Sequence, residues 1–258
     1  MKKRVAILSD PHCGGVGGLT PPGYMVDWLQ EVQTIFWNWF TYNLPRYGPY
    51  NAVIGAGDFT DGEGKKGTLG TAFSDVRKQA EAAIECLEQT GVDPAYWYLV
   101  RGTPFHSNGS AEYEDHISDL VNCSIKDVQK IEIEGWKIHT RHVVGRSDIS
   151  YGQATPILKE LARMEHEAFL EEKDAPDIII RGHVHYDMSV NRDGRLALTA
   201  PCLDLPIDSS NGRRYAAWMY TVGFGVLELE KDWEPIYYPV KMPINLVHDG
   251  GYEEVKFA

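Results

Sequence analysis

Asp10 and His12, Asp58 and Asp61, His106, His142, and His183 and His185 are carboxylates and imidazoles that recur down the chain, each just past a short apolar run. Mixed donors of this kind suit Mn²⁺, Fe, Co²⁺, Ni²⁺ or Zn²⁺ better than Mg²⁺ or Ca²⁺, which prefer shells made of oxygen alone. Drawn from separate strands, such donors can hold two ions about 3.5 to 4 Å apart, a spacing that clamps both the attacking and the leaving oxygen of a displacement at phosphorus. Phosphoryl transfer is therefore the chemistry these residues suit. Asp10 and His12 are two residues apart, as are His183 and His185. If the backbone stays extended, both members of such a pair lean the same way and each pair can then chelate. A single His at a strand end carries little weight, but five consecutive strand ends bearing metal-capable side chains carry more.

The elements that must position them can be read from the apolar pattern. Arg4 to Ser9, Asn51 to Gly55, Tyr96 to Val100 and Asp177 to Arg181 read as buried strands, and Val128 to Glu134 with Trp136 to His142 as a hairpin turning at Gly135. Helical spacing covers Tyr24 to Tyr42, Thr71 to Thr90, Glu112 to Asn122 and Pro156 to Lys173. From Tyr186 to Val240 short alternating strands take over, and Asn245 to Ala258 shows no pattern. Alternating strands and helices followed by strands alone predict an α/β fold of two packed sheets with helices outside. In open α/β sheets ligands bind beyond the carboxyl ends of the strands, where these residues stand. No linker or repeat divides the chain, so one domain over residues 1–258 is expected, with 241–258 as a C-terminal extension.

Composition narrows the function. Of 258 residues 25 are Lys or Arg and 37 are Asp or Glu, a net charge of −12 that disfavours a broad electrostatic footprint on duplex DNA. A small phosphoester, or a nucleic acid or nucleotide held by a local patch, passes this filter. No apolar run is long enough for a membrane span or a signal-peptide core, so a soluble, cytoplasmic protein is expected. The four cysteines are too scattered for a zinc knuckle or a disulfide framework, and reduced thiols are expected.

Asp10-x-His12, Gly57-Asp58-x-x-Asp61, Gly102-Thr-Pro-Phe-His106, a His near 142 and Gly182-His183-x-His185 resemble the DxH, GDxxD, GNH(D/E), H and GHxH blocks of the calcineurin-like metallophosphoesterase superfamily, in order, over residues 10 to 185. Three of the five blocks fit letter for letter. The resemblance implies a four-layer α-β-β-α sandwich with a dinuclear metal site at the strand ends, and a phosphodiesterase or nuclease. It gives Asp10, His12 and His185 to the first metal, Asp58 to both, and His183 with His142 to the second, two divalent ions per chain with Mn²⁺ foremost. A phosphomonoesterase, or a non-catalytic scaffold on the same fold, is the alternative.

The third block departs from the pattern: Thr103 stands at the usual Asn and Pro104 at the usual His. Either His106 supplies an imidazole, as ligand or general acid, or Thr103 binds weakly through its hydroxyl, and His106 is preferred. The Gly-Thr-Pro-x-His form resembles phage and prophage members. His139 and His142 both lie on one strand, and His142 is preferred for its place near the strand end. Asp61 caps the turn after Asp58 or hydrogen-bonds a metal-binding His, the second being preferred, and is grouped with His106 as catalytic machinery. Gly14 to Gly18 is a phosphate-approaching loop or a plain turn, and Arg101, Arg141, Arg146 and Arg181 form an anion rim or, for most of them, salt bridges. Cys13 reads as a buried thiol, and Trp28, Trp37 and Trp39 as core or a self-association face.

Overall fold

The computed structural model describes residues 1–63, 71–103, 113–207, 219–249 and 252–257. Two mixed sheets carry the chain. The first has the order β11-β10-β1-β2-β3-β4, from β1 (Lys3–Leu8), β2 (Ala52–Gly55), β3 (Trp97–Val100), β4 (Ser124–Lys126), β10 (Gly223–Glu230) and β11 (Trp233–Lys241). The second has the order β5-β6-β7-β9-β8, from β5 (Val128–Ile133), β6 (Trp136–Arg141), β7 (Ile178–Arg181), β8 (Met188–Arg192) and β9 (Arg195–Thr199). β1 to β4 run parallel, as do β6, β7 and β9, while the remaining strands of both sheets are antiparallel neighbours.

Alternation along each strand splits the apolar residues between layers. Val5, Ile7 and Ile54 meet Ile138, Ile178, Ile180 and Leu198 in the core between the sheets. Ala6 and Leu8 turn outward instead, under α1 (Gln30–Asn43) and α2 (Val76–Glu88) with Phe36, Phe40 and Leu87. Ile179 and Ala197 face Ile157 and Leu161 of α4 (Ala154–Leu170) on the other side. The result is the expected α-β-β-α layering, with α3 (Asp115–Leu120) between β3 and β4. No helix among the described residues is long and apolar enough to cross a membrane.

Two helix starts differ most from the apolar pattern, for identifiable reasons. α1 starts at Gln30, because 22–24 and 27–29 wind as short 3-10 turns after Pro21 and Pro22. α2 starts only at Val76, where Asp75 Oδ1 accepts from the amides of Arg77 and Lys78 as an N-cap. Residues ahead of that cap are used otherwise: the amide of Ala72 donates to Gly14 O at 2.6 Å. The three-residue β4 is too short for periodicity to reveal. The C-terminal segment is not patternless, since β12 (Ile244–Asp249) and β13 (Tyr252–Phe257) pair as a hairpin of their own.

Candidate metal centre

Loops from the carboxyl ends of β1, β2, β6, β7 and β9 are stitched together by backbone hydrogen bonds. Asp10 N donates to Gly57 O, His12 N to Asp58 O, Gly182 N to His142 O and Leu203 N to Ser9 O, at 2.9 to 3.0 Å. Side chains that leave these loops cannot diverge far. The backbone of these loops is itself sharply bent, and Asp10, His12, Asp58, His183 and His185 all have positive φ, between 42° and 73°. Left-handed backbone at a non-glycine residue costs on the order of 1 kcal/mol, and such strain persists only where the surroundings impose it. The reading in which each pair chelates from extended backbone is thus corrected. His183 and His185 are turned into different groups, while Asp10 and His12 share one.

Asp10 Oδ1 lies 3.3 Å from His185 Nε2 and 3.9 Å from His12 Nε2, and the two Nε2 atoms face each other at 3.4 Å. Asp58 Oδ2 lies 2.9 Å from His142 Nε2, whose ring stands edge-on to that of His183 with centroids 5.3 Å apart. Within each trio, Asp10–His12–His185 and Asp58–His142–His183, the ligand-capable atoms lie within 4.8 Å of one another. The trios adjoin, for His142 Nε2 is also 4.0 Å from Asp10 Oδ1.

The remaining ring nitrogens face acceptors on the far side of each ring. His142 Nδ1 lies 2.6 Å from Ala56 O, His12 Nδ1 3.5 Å from Asp61 Oδ1, and His185 Nδ1 3.4 Å from Asp204 Oδ2. Each leaves Nε2 toward the centre. Asp10 accepts from Ser9 Oγ and from the amide of His183, and Asp58 Oδ1 accepts from the amide of Thr103 at 2.6 Å. Glu114 clamps two loops at once, Oε1 accepting from Phe59 N and Oε2 from Gly102 N. A Cβ on Gly102 would fall 1.8 Å from Asp58 Oδ1, so only glycine lets the loop after β3 approach.

Electrostatically the cavity asks for positive charge. Burial works against the charged form of His12, yet Asp61, Asp204 and Asp58 outweigh it and push the ring up to about 10. His142 is likewise opposed by burial but raised to about 9 by Asp58 and Asp10. Burial opposes ionisation of Asp10 as well, and His185 and His142 nevertheless hold it well below the usual carboxylate range. Glu114 is pushed up to about 7 by burial and by Asp58. Fully or nearly buried Asp10 and Asp58, each beside two imidazoles, are a donor set that fits divalent transition cations.

Of the residues singled out from sequence, Asp10, His12, Asp58, His142, His183 and His185 come together and Asp61 stands directly behind them. His106 lies outside the described residues. His139 faces away, 3.3 Å from Arg181 Nη1 on the outer side of the second sheet, where burial and Arg181 lower it to about 4. Thr103 Oγ1 sits 3.3 and 3.4 Å from the two oxygens of Asp58. The glycine loop is a turn, Gly15 N donating to His12 O and Gly18 N to Gly15 O, and it is a buried one. Residues 5–20 are all buried, and a Cβ on Gly17 would fall 2.2 Å from Leu205 O, so the loop serves packing. The arginines hold carboxylates: Arg101 pairs with Asp115 and Asp127, Arg146 with Asp148, and Arg141 and Arg181 with Glu160. Cys13 is buried, Trp37 and Trp39 pack into the core, and Trp28 is exposed. Sequence reasoning missed Asp204 and Glu114, which belong to no spaced motif. Asp204 follows β9, one more parallel strand end, and that position was the only signal.

No protein-family model and no curated protein matches the chain. Among solved structures, vacuolar protein sorting 29 from Cryptosporidium parvum superposes over 100% of this chain and 97% of its own, with a TM-score of 0.50 at 14% identity. The chain has the calcineurin-like metallophosphoesterase fold. A Vps29 double mutant from Entamoeba histolytica matches 99% of this chain and 98% of its own (TM-score 0.48, 16% identity), and an archaeal phosphodiesterase 93% and 99% (0.46, 14%). Across this metallophosphoesterase fold the backbone is shared while the chemistry rests with side chains, which here must be argued from their own geometry.

Proposed function

We propose that the protein is a metal-dependent phosphodiesterase that holds two divalent cations, Mn²⁺ foremost, with residues 1–258 acting as one domain and 241–258 as its extension. Asp10, His12 and His185 would hold one ion and His142 and His183 the other, with Asp58 reaching both. The observation that carries this reading is the pair of adjoining carboxylate–imidazole trios, buried and held in strained backbone. Two bound ions would supply Lewis-acid charge to phosphoryl oxygens and lower the pKa of a nucleophilic water. The chain's own residues do the positioning. Asp61 and the carbonyl of Ala56 orient the rings of His12 and His142, Ser9 and the amide of His183 orient Asp10, and the amide of Thr103 orients Asp58. His106, four residues beyond Gly102 in the sequence, is assigned the proton given to the leaving oxygen.

A diester is favoured over a monoester because, among the described residues, Arg101, Arg141, Arg146 and Arg181 near these loops already hold carboxylates, which leaves them ill placed to neutralise a second phosphate charge. The test is turnover with Mn²⁺ of bis-p-nitrophenyl phosphate against p-nitrophenyl phosphate, then of single-stranded and duplex oligonucleotides, alongside elemental analysis. Two ions per chain with faster diester cleavage is the expected result. Faster monoester cleavage reassigns the substrate, and two ions without turnover on any of these overturns the catalytic reading.

A further inference from the structure

His185 is bordered on three sides. Its Nε2 points at Asp10 and His12, its Nδ1 faces Asp204 Oδ2 at 3.4 Å, and the ring of Tyr220 stands against it at 87° with centroids 5.1 Å apart. Asp204 is itself held on both flanks. Cys202 Sγ donates to its carbonyl at 3.3 Å, Leu205 N donates to Gly17 O at 2.7 Å, and Gly18 bridges to it as an antiparallel pair. The side chain is 17% exposed, so a carboxylate is kept largely out of water with an imidazole nitrogen as its facing partner.

A neutral imidazole presents one lone pair, and the acceptor opposite Nδ1 decides which nitrogen presents it. A carboxylate facing Nδ1 favours the tautomer that carries its proton there and leaves the Nε2 lone pair aimed inward. For His142 the same place is taken by the uncharged carbonyl of Ala56. We propose that Asp204 is a positioning residue for the cation held by Asp10, His12 and His185, setting the orientation of His185 from behind. This rests on the two-cation reading above. It also gives the buried glycine loop a purpose: Gly17 lacks the Cβ that would fall 2.6 Å from Asp204 Oδ1, so the carboxylate can reach its place.

The test is calorimetric titration of Mn²⁺ into wild-type protein and the Asp204→Ala, Asp204→Asn and Asp204→Glu variants. His185→Gln identifies which binding event belongs to His185. Asp204→Ala is expected to weaken that event about 10- to 100-fold and leave the other unchanged. Asp204→Asn, which keeps an acceptor but loses the charge, should fall between wild type and Asp204→Ala, and Asp204→Glu should recover part of the loss. In the His185→Gln background the Asp204→Asn effect should shrink to the part that Asp204 exerts through His12. If Asp204→Ala does not fold, the isosteric Asp204→Asn carries the measurement. Equal weakening of both events, or no change in either, overturns the proposal for Asp204. Wild-type protein that takes up no Mn²⁺ overturns the two-cation reading instead.

Discussion

At the amino end of the parallel strands, Glu134, Glu172, Asp193 and Asp232 have positive φ, and at the carboxyl end Asp10, His12, Asp58, His183 and His185 do. The first set lies where the chain must reverse: Glu134–Gly135 joins β5 to β6, Asp193–Gly194 joins β8 to β9, Asp232 turns β10 into β11, and Glu172 follows α4. There the conformation is what a two-residue turn or a helix end requires. No hairpin explains the second set. Its members lie in longer loops, and what they share is a common destination for their side chains. Equal local cost therefore marks a connection at one end of the molecule and a built cavity at the other.

The largest test of that contrast is at Asp58, whose carboxylate lies between His142 Nε2 and the amide of Thr103. Asp58→Asn keeps the shape and removes the charge. Phosphodiesterase activity with Mn²⁺ should fall by more than about 10³-fold, about 4 kcal/mol of transition-state stabilisation, with the circular dichroism spectrum unchanged. Retained activity would mean that the strained loops converge for some reason other than catalysis.

The next test uses buried charge a few residues away. Arg181, two residues before His183, is fully buried on the outer face of the second sheet, where its Nη2 meets Glu160 Oε2 at 3.0 Å. Unlike the carboxylates of the cavity, Glu160 has cations of its own, with Arg141 and Arg163 also within 3.3 Å. Breaking a buried pair by removing one partner costs about 3 kcal/mol or more, so Glu160→Gln should lower unfolding stability by about that amount at pH 7. Burial opposes ionisation of Glu160, but Arg181, Arg141 and Arg163 outweigh it and hold its pKa below the ordinary 4.5. The charge therefore stabilises the fold fully above 4.5, and that contribution is lost as pH falls through the lowered native value. Urea unfolding at pH 7 and at a pH well below 4.5 should show a gap between wild type and variant that is large at pH 7 and narrows in acid. A gap of equal size at both pH values would assign the loss to packing.

These contrasts also show what could be read from the chain beforehand. The layers follow from apolar runs and alternation, since Val5 and Ile7 against Ala6 and Leu8 already separate the two faces of β1. The six residues of the trios were visible because each stands just past a buried run. Their left-handed backbone was not visible: it is imposed by hydrogen bonds such as His12 N to Asp58 O, between segments far apart in sequence. Glu114 was illegible for the same reason, and Asp204 showed only its place past β9, since their roles come from long-range approach to His185, Phe59 and Gly102.

The smallest test returns to the amino end. The hairpins β5–β6 and β8–β9 are closed by two-residue turns with both residues at positive φ, 52° and 87° for Glu134–Gly135 and 53° and 79° for Asp193–Gly194. Asp-Gly suits this geometry, whereas Glu lacks the short side chain that eases left-handed backbone. Glu134 offers only an N-terminal amino group at 3.8 Å in exchange, a surface contact of little value. Glu134→Asn should therefore raise unfolding stability by about 0.5 to 1 kcal/mol, read as a shift in urea midpoint, while Mn²⁺ affinity and turnover stay at wild-type values. If strain at this end also served the cavity, relieving it would change metal binding, and the division between the two ends would fail.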